Sequence, residues 1–383
     1  MAGKGTTMKI LYGVVGEGMG HATRSRVILD ALSCNHEVHV VVSGRAYDFL
    51  AARFSNVHKI WGATIAYEDN AVNKLKTAIQ NARAAISGVP ENVRQYFEIS
   101  EQFRPDAVVS DFDTFAYLYG VNWMLPVVSI DNMQVINRCR HEPAVTTGHE
   151  ADFQLTRGIV KGKLPGCHHY LITTFFYPEL RKSRTTLLPS ILRPEVLEAQ
   201  REKGEHLVVY QTSTSNKDLP EILKRSGQRC RIYGLRRDLK EPLEDGPLTY
   251  KPFSEKGFID DLRTAKAVIA NGGFTLMSEC VYLHKPMLSL PVAGQFEQVL
   301  NARYLEKLGY GLYAPELTSD MLKRFLLQLP FFEEKLAAYR QDGNQLLLSK
   351  LDELLEQIAA GSAQAPASIE EPASLEAPAF KER

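Results

Sequence analysis

Two short stretches place a proton acceptor and its partner just past two apolar runs, on the same rim of a sheet if the strands are parallel. In "GVVGEGMGHATRS" (13–25) His21 follows a glycine-rich turn, and in "PDAVVSDFD" (105–113) Asp111 is the first carboxylate off an apolar run. An imidazole with its ordinary pKa of ~6.5 can take a proton from a hydroxyl at neutral pH. A carboxylate on the same sheet rim can fix the ring tautomer and stabilise the imidazolium. Each residue also has a plainer use: the histidine as a satisfied helix start, the aspartate as a turn or helix cap. Gly18 and Gly20 leave the backbone open to close approach, and the helix that follows offers unpaired N–H groups.

A second constellation lies about 250 positions further on, in "ANGGFTLMSECVYLHKPMLSLPVAGQFEQVLNARYLEKLGYG" (270–311). Asn271-Gly272-Gly273 ends an apolar run and opens a helix, an arrangement suited to binding an anion. Glu279 falls one to two turns inside that helix, where it could reach a ribose hydroxyl pair while a diphosphate sits at the N-terminus. Glu297 and Gln298 offer acceptors and donors for sugar hydroxyls. "YQTSTSN" (210–216) adds Thr212 and Ser213 after another apolar run.

The first loop is not a dinucleotide cradle. In the G-x-G-x-x-G fingerprint Gly16 and Gly18 fit, but His21 stands at the third glycine, and the next strand ends in Ser43, Gly44 and Arg45 instead of an acid. "GKGTT" precedes the first strand and lacks the order of a P-loop.

The elements that must position these residues alternate. Apolar runs at 9–15, 36–43, 106–111 and 126–131 read as buried parallel strands separated by helical patterns, and the pattern restarts with runs at 206–212, 229–235, 265–273 and 286–292. The expected organisation is α/β, with two Rossmann-like domains at 8–190 and 206–330 joined by a linker at 191–205. A leucine-rich helical segment follows at 331–358, interrupted by Gly343, and then a tail at 359–383 rich in Ala, Pro, Ser and Glu, expected to be disordered.

Composition narrows the partners. The chain has 383 residues with 45 basic and 45 acidic side chains, so no global field draws it to nucleic acid. Its five cysteines are scattered, the first seven residues lack an apolar signal core, and no run approaches the ~20 apolar residues of a membrane span. A cytoplasmic protein is expected, with peripheral membrane contact open. "CHHY" (167–170) has no metal-ligand spacing. The basic residues Arg157, Lys161 and Lys163 near Phe175, Phe176 and Tyr177 could form a lipid-headgroup surface, or a solvated loop beside a core strand.

The second constellation resembles the donor site of UDP-glycosyltransferases, H-G-G-W-N-S-x-x-E. It runs from Asn271 through Gly272, Gly273, Phe274 and Thr275 to Glu279, and is followed by "HKPMLSLP" and by Glu297-Gln298-Val299-Leu300-Asn301-Ala302 for the family's D/E-Q-x-x-N-A. "GEGMGH" is similar to the Gly-His loop of the same GT-B superfamily and of the bacterial peptidoglycan N-acetylglucosaminyltransferase. The resemblance covers residues 9 to about 312. It implies a GT-B fold with two domains facing across a cleft, and an inverting glycosyltransferase. A nucleotide-diphosphate sugar, UDP-sugar first, would be held by the second domain. The acceptor, a small molecule, glycan or lipid-linked sugar, would be held by the first. His21 would be the base, Asp111 its orienter, and neither a metal nor a cofactor is expected. Asn271 and Leu276 depart from the family's histidine and serine, thinning side-chain help for the phosphates. A nucleotide-sugar 2-epimerase and a non-catalytic nucleotide-sugar-binding protein are the alternatives on this scaffold.

Overall fold

The computed structural model describes residues 7–16, 18–64, 67–68, 71–72, 74–211 and 218–361. The expected hydroxyl contributors Thr212 and Ser213, and most of the expected tail, lie outside the described residues.

The first apolar runs form β1 (Lys9–Val14), β2 (Glu37–Val42) and β3 (Val57–Lys59), and a small ribbon of β4 (Tyr67–Glu68) and β5 (Ala71–Val72) stands apart. After a long helix come β6 (Ala107–Asp111), β7 (Val127–Asp131), β8 (His169–Thr173) and β9 (Thr185–Leu188). They make a seven-stranded sheet ordered β3-β2-β1-β6-β7-β8-β9, every pairing in it parallel. Both faces are buried: Leu11, Val41 and Val108 belong to one core cluster, and Ile10, Tyr12, Val40, Val42, Ala107 and Val109 to another. That is why these strands read as unbroken apolar runs rather than as alternating ones.

The second half repeats the plan with β10 (Leu207–Tyr210), β11 (Cys230–Tyr233), β12 (Leu243–Asp245), β13 (Leu248–Lys251), β14 (Ala267–Ala270), β15 (Met287–Ser289) and β16 (Gly311–Tyr313). Their order is β12-β13-β11-β10-β14-β15-β16, and only β12 runs antiparallel. Leaving aside the antiparallel edge strand β12, the chain order of each sheet reverses once, between β1 and β6 and between β10 and β14. Ligands of open α/β sheets bind outside the carboxyl ends of the strands at such points. His21 follows β1, Asp111 ends β6, and Gly272-Gly273 follow β14, so both constellations lie at switch points.

The halves are packed together. Phe175 and Phe176, just past β8, are both 2% exposed. Phe176 stacks on Tyr304 with ring centroids 4.0 Å apart, Phe175 stacks on Phe274 at 5.9 Å, and Phe153 packs on Phe296 at 5.3 Å. These aromatics therefore form the inter-half interface and not a lipid-facing patch. Lys163 instead lies over the Phe112 ring, and Arg157 over Phe153.

The leucine-rich C-terminal segment is two helices, Leu329–Ala337 and Gln345–Ala359, separated by a turn in which Gly343 takes φ 89°. The last helix returns to the first sheet. Leu347, Leu351, Leu354, Leu355 and Ile358, at helical spacing, enter the cluster of Ile10, Tyr12 and Val40. Asn344 pins its start to the linker, accepting from Leu192 N at 2.9 Å and donating to Leu192 O at 2.7 Å.

Candidate active site

His21 sits in the first turn of the helix Met19–Leu32 because three glycines shape the turn before it. A Cβ on Gly16 would lie 2.0 Å from the Ser43 carbonyl oxygen, and Gly18 caps the helix at φ 114°. A Cβ on Gly20 would lie 2.7 Å from Thr275 Oγ1, in the opposite half. The two loops therefore face each other, with two helix N-termini in contact.

Neither the helix Met19–Leu32 nor the helix Phe274–Tyr282 has a side-chain cap or an acid in its first turn. Each N-terminus carries roughly half a positive charge. Two such ends brought together without a carboxylate repel one another, and an anion between them is the natural counterweight.

On the first half the dyad is assembled. His21 Nδ1 lies 2.8 Å from Asp111 Oδ1, the imidazole 19% and the carboxylate 1% exposed. Asp111 is further bound by Arg24, through NH2 at 2.7 Å to Oδ1 and Nε at 3.1 Å to Oδ2, and by Ser25 Oγ at 2.9 Å. Burial opposes ionisation of Asp111, but the charges and hydrogen bonds of Arg24 and His21 outweigh it and hold the carboxyl well below the usual range. Arg24 NH2 also lies 2.6 Å from His21 Nδ1. A guanidinium only donates and a carboxylate only accepts, so Nδ1 can satisfy one of them. Donating to Asp111 leaves Nε2, which has no hydrogen-bond partner among the described residues, as the basic nitrogen.

Arg24 NH1 continues to Asn132 Oδ1 at 3.1 Å, and Asn132 Nδ2 donates to Glu297 Oε1 at 2.9 Å across the interface. Sequence reasoning missed Arg24, Ser25 and Asn132. Arg24 had a signal: three residues after His21 it shares the same helix face. Asn132 had one too, as the first residue past β7 on the same sheet rim.

On the second half the structure revises two expectations. Glu279, expected at a ribose, is 2% exposed, and its two oxygens accept from Arg193 Nε and NH2, both at 2.8 Å. Arg193 comes from the linker and also donates from NH1 to Glu255 at 2.8 Å. Burial raises the Glu279 carboxyl above its usual range even with Arg193 opposing. The carboxylate thus ties the helix to the linker instead of facing the cleft, because the linker supplies a planar fork that matches it.

Gln298, expected at sugar hydroxyls, spends Oε1 on Gly272 N at 3.2 Å and Val292 N at 3.0 Å, and its amide on Gln295. It braces the glycine loop, as does Asn301, whose amide donates to Gly272 O at 3.2 Å. A Cβ at Gly272 would lie 2.4 Å from the Gln298 carbonyl oxygen, so glycine is required there. Gly273 is the helix cap, Phe274 is buried against Phe175, and Thr275 faces Gly20. Asn271 Oδ1 and Ser278 Oγ are buried without hydrogen-bond partners among the described residues. No group of three His, Cys, Asp or Glu among the described residues could hold a metal, and no helix among them is long and apolar enough to cross a membrane.

Comparison with known proteins agrees with this architecture. An uncharacterised glycosyltransferase of Methanosarcina mazei is 24% identical, over 92% of this chain and 99% of its own. A UDP-glucosyltransferase from Polygonum tinctorium superposes with TM-score 0.61 at 14% identity, over 92% of this chain and 99% of its own. A Phytolacca americana protein complexed with UDP-2fluoro-glucose and pterostilbene superposes with TM-score 0.62 at 14% identity, over 91% and 99%. These likenesses give the GT-B fold. The family model described as glycosyl transferase family 1 matches residues 8–330, and the chain, a glycosyltransferase, belongs to that family.

Proposed function

We propose that this glycosyltransferase inverts the anomeric centre and takes its sugar from a nucleoside-diphosphate donor, a UDP-sugar, with His21 as the base and no metal. The reading rests on one observation above all: the His21–Asp111 pair lies beside the meeting point of two uncapped helix N-termini. The acceptor hydroxyl gives its proton to His21 Nε2 and its oxygen attacks C1. The bond between C1 and the diphosphate oxygen breaks as the new one forms. The departing diphosphate gains negative charge where backbone N–H groups and helix dipoles converge, the place such charge is best stabilised. Asp111, with both oxygens engaged by Arg24, Ser25 and His21, has no free edge to act as a nucleophile, which favours a single displacement.

Gly18, Gly20, Gly272, Gly273 and Thr275 would line the phosphates, and Glu297 would meet a sugar hydroxyl at the cleft mouth. The Phytolacca americana protein, of the same fold, was solved with UDP-2fluoro-glucose, which makes UDP the first nucleotide to try.

The test is a thermal-shift panel of UDP-, dTDP- and GDP-sugars, followed by NMR of the product's anomeric configuration. Stabilisation by a UDP-sugar and an inverted product support the reading. A retained configuration overturns it, as does sugar interconversion without an acceptor.

A further inference from the structure

The hydrogen bonds that begin at Asp111 do not stop at Arg24; they cross between the halves. Asn132 is 3% exposed, and its amide is oriented by two partners that leave no choice. Arg24 NH1 can only donate, so Oδ1 faces it at 3.1 Å; Glu297 Oε1 can only accept, so Nδ2 faces it at 2.9 Å. Arg24 is itself 4% exposed, and its other nitrogens are spent on Asp111 and beside His21. The result is a directed chain from His21 through Asp111, Arg24 and Asn132 to Glu297. Glu297 lies in the first turn of the helix Phe296–Lys307 in the opposite half.

We propose that Arg24 and Asn132 are positioning residues that set the His21–Asp111 pair in register with Glu297, so that the base is correctly placed only when the two halves are closed. The proposal rests on His21 being the base. The links respond differently when the halves part. The Asp111–Arg24 pair lies within the first half and keeps its Nε–Oδ2 bond. The Asn132–Glu297 bond is the link that spans the gap, and its loss frees the far side of Arg24. Arg24 NH2 already lies 2.6 Å from His21 Nδ1 as well as 2.7 Å from Asp111 Oδ1, so a guanidinium released on its far side needs only a small turn to take the Nδ1 lone pair, which puts the ring proton on Nε2 and removes the base. Asn132, by holding NH1, keeps the NH2 hydrogen bond directed at Asp111 Oδ1.

The test is a double-mutant cycle on Asn132 and Glu297, read by UDP release from UDP-glucose, with UDP affinity and thermal stability measured on the same proteins. Asn132→Asp keeps the size of the side chain but sets a carboxylate against Glu297. It is expected to lower kcat at least 10-fold with UDP affinity within twofold of wild type, since UDP carries no sugar to meet Glu297. Glu297→Gln keeps an acceptor for Asn132. In the double variant, the amide introduced at position 297 can donate to the carboxylate introduced at position 132 and restore the bridge with reversed polarity. There kcat is expected to return to within about threefold of Glu297→Gln alone.

A wild-type kcat in Asn132→Asp, or losses that simply multiply in the double variant, would overturn the relay. So would a drop in thermal stability with kcat unchanged. His21→Ala is the control for the parent reading. Wild-type turnover in that variant removes the base, and the relay with it, whereas loss of turnover there beside full turnover in Asn132→Asp removes the relay alone.

Discussion

Two aspartates at the carboxyl end of β6 behave oppositely, and the reason is what surrounds each carboxylate. Asp111 is buried against a guanidinium, and its carboxyl titrates below its unfolded value. Its contribution to stability is therefore complete above the unfolded pKa of about 4 and is lost as pH falls further. Asp111→Asn strands the Arg24 cation, and a cost of about 3–5 kcal/mol is expected in denaturant melts at pH 7. Asp113 caps the helix Thr114–Asn122, accepting from Ala116 N at 2.8 Å. Burial pushes its carboxyl up to about 6. Here the sign reverses: the folded state holds its proton more tightly, so ionisation weakens the fold as pH rises from about 4 through 6. Asp113→Asn, which keeps the cap, is expected to stabilise the protein at pH 7–8 by on the order of 1–2 kcal/mol and to give no gain below pH 4. Melting both proteins across that range checks it. The residue types of the dyad were legible because a glycine-rich turn and an apolar run each ended in a group able to move or hold a proton, although each also had a plainer use as a helix start or cap. The cation between them was overlooked despite its helical spacing from His21, since an arginine in a helix ordinarily faces water.

The two helix starts explain why glycine recurs in both loops. Gly20 and Thr275 bring the N-termini together, and Gly272 brings the second loop against Gln298. Gly20→Val is expected to hold the halves apart and lower turnover at least tenfold while leaving far-UV circular dichroism unchanged. Gly272→Ala, with its Cβ 2.4 Å from a carbonyl oxygen, is expected to weaken UDP binding in calorimetry before it affects folding. Strand–helix alternation made both sheets readable, because parallel strands buried on two faces leave continuous apolar runs. The short edge strands β3, β12 and β16 escaped, having three residues each and little apolar signal. Glu279 misled for a different reason. Its helical position was read correctly, but its partner Arg193 arrives from a linker whose path no local pattern specifies.

The halves are joined twice over, by the aromatic interface and by the C-terminal helix that crosses back to the first sheet. Phe176→Ala removes a ring stacked on Tyr304, and a loss of about 3–5 kcal/mol is expected in urea unfolding. Ending the chain at residue 343 would expose the sheet face that Leu347, Leu351 and Leu355 cover, so that the first half should unfold at lower denaturant than the second. That distribution of contacts packs the halves so that the proposed base of one meets the proposed anion site of the other. The most direct test of this account is to measure UDP-sugar turnover and UDP affinity side by side in wild type and His21→Ala. Turnover is expected to fall by about 100-fold or more with UDP affinity unchanged, the signature of a lost general base. Undiminished turnover in His21→Ala, or UDP binding lost together with the histidine, would contradict it.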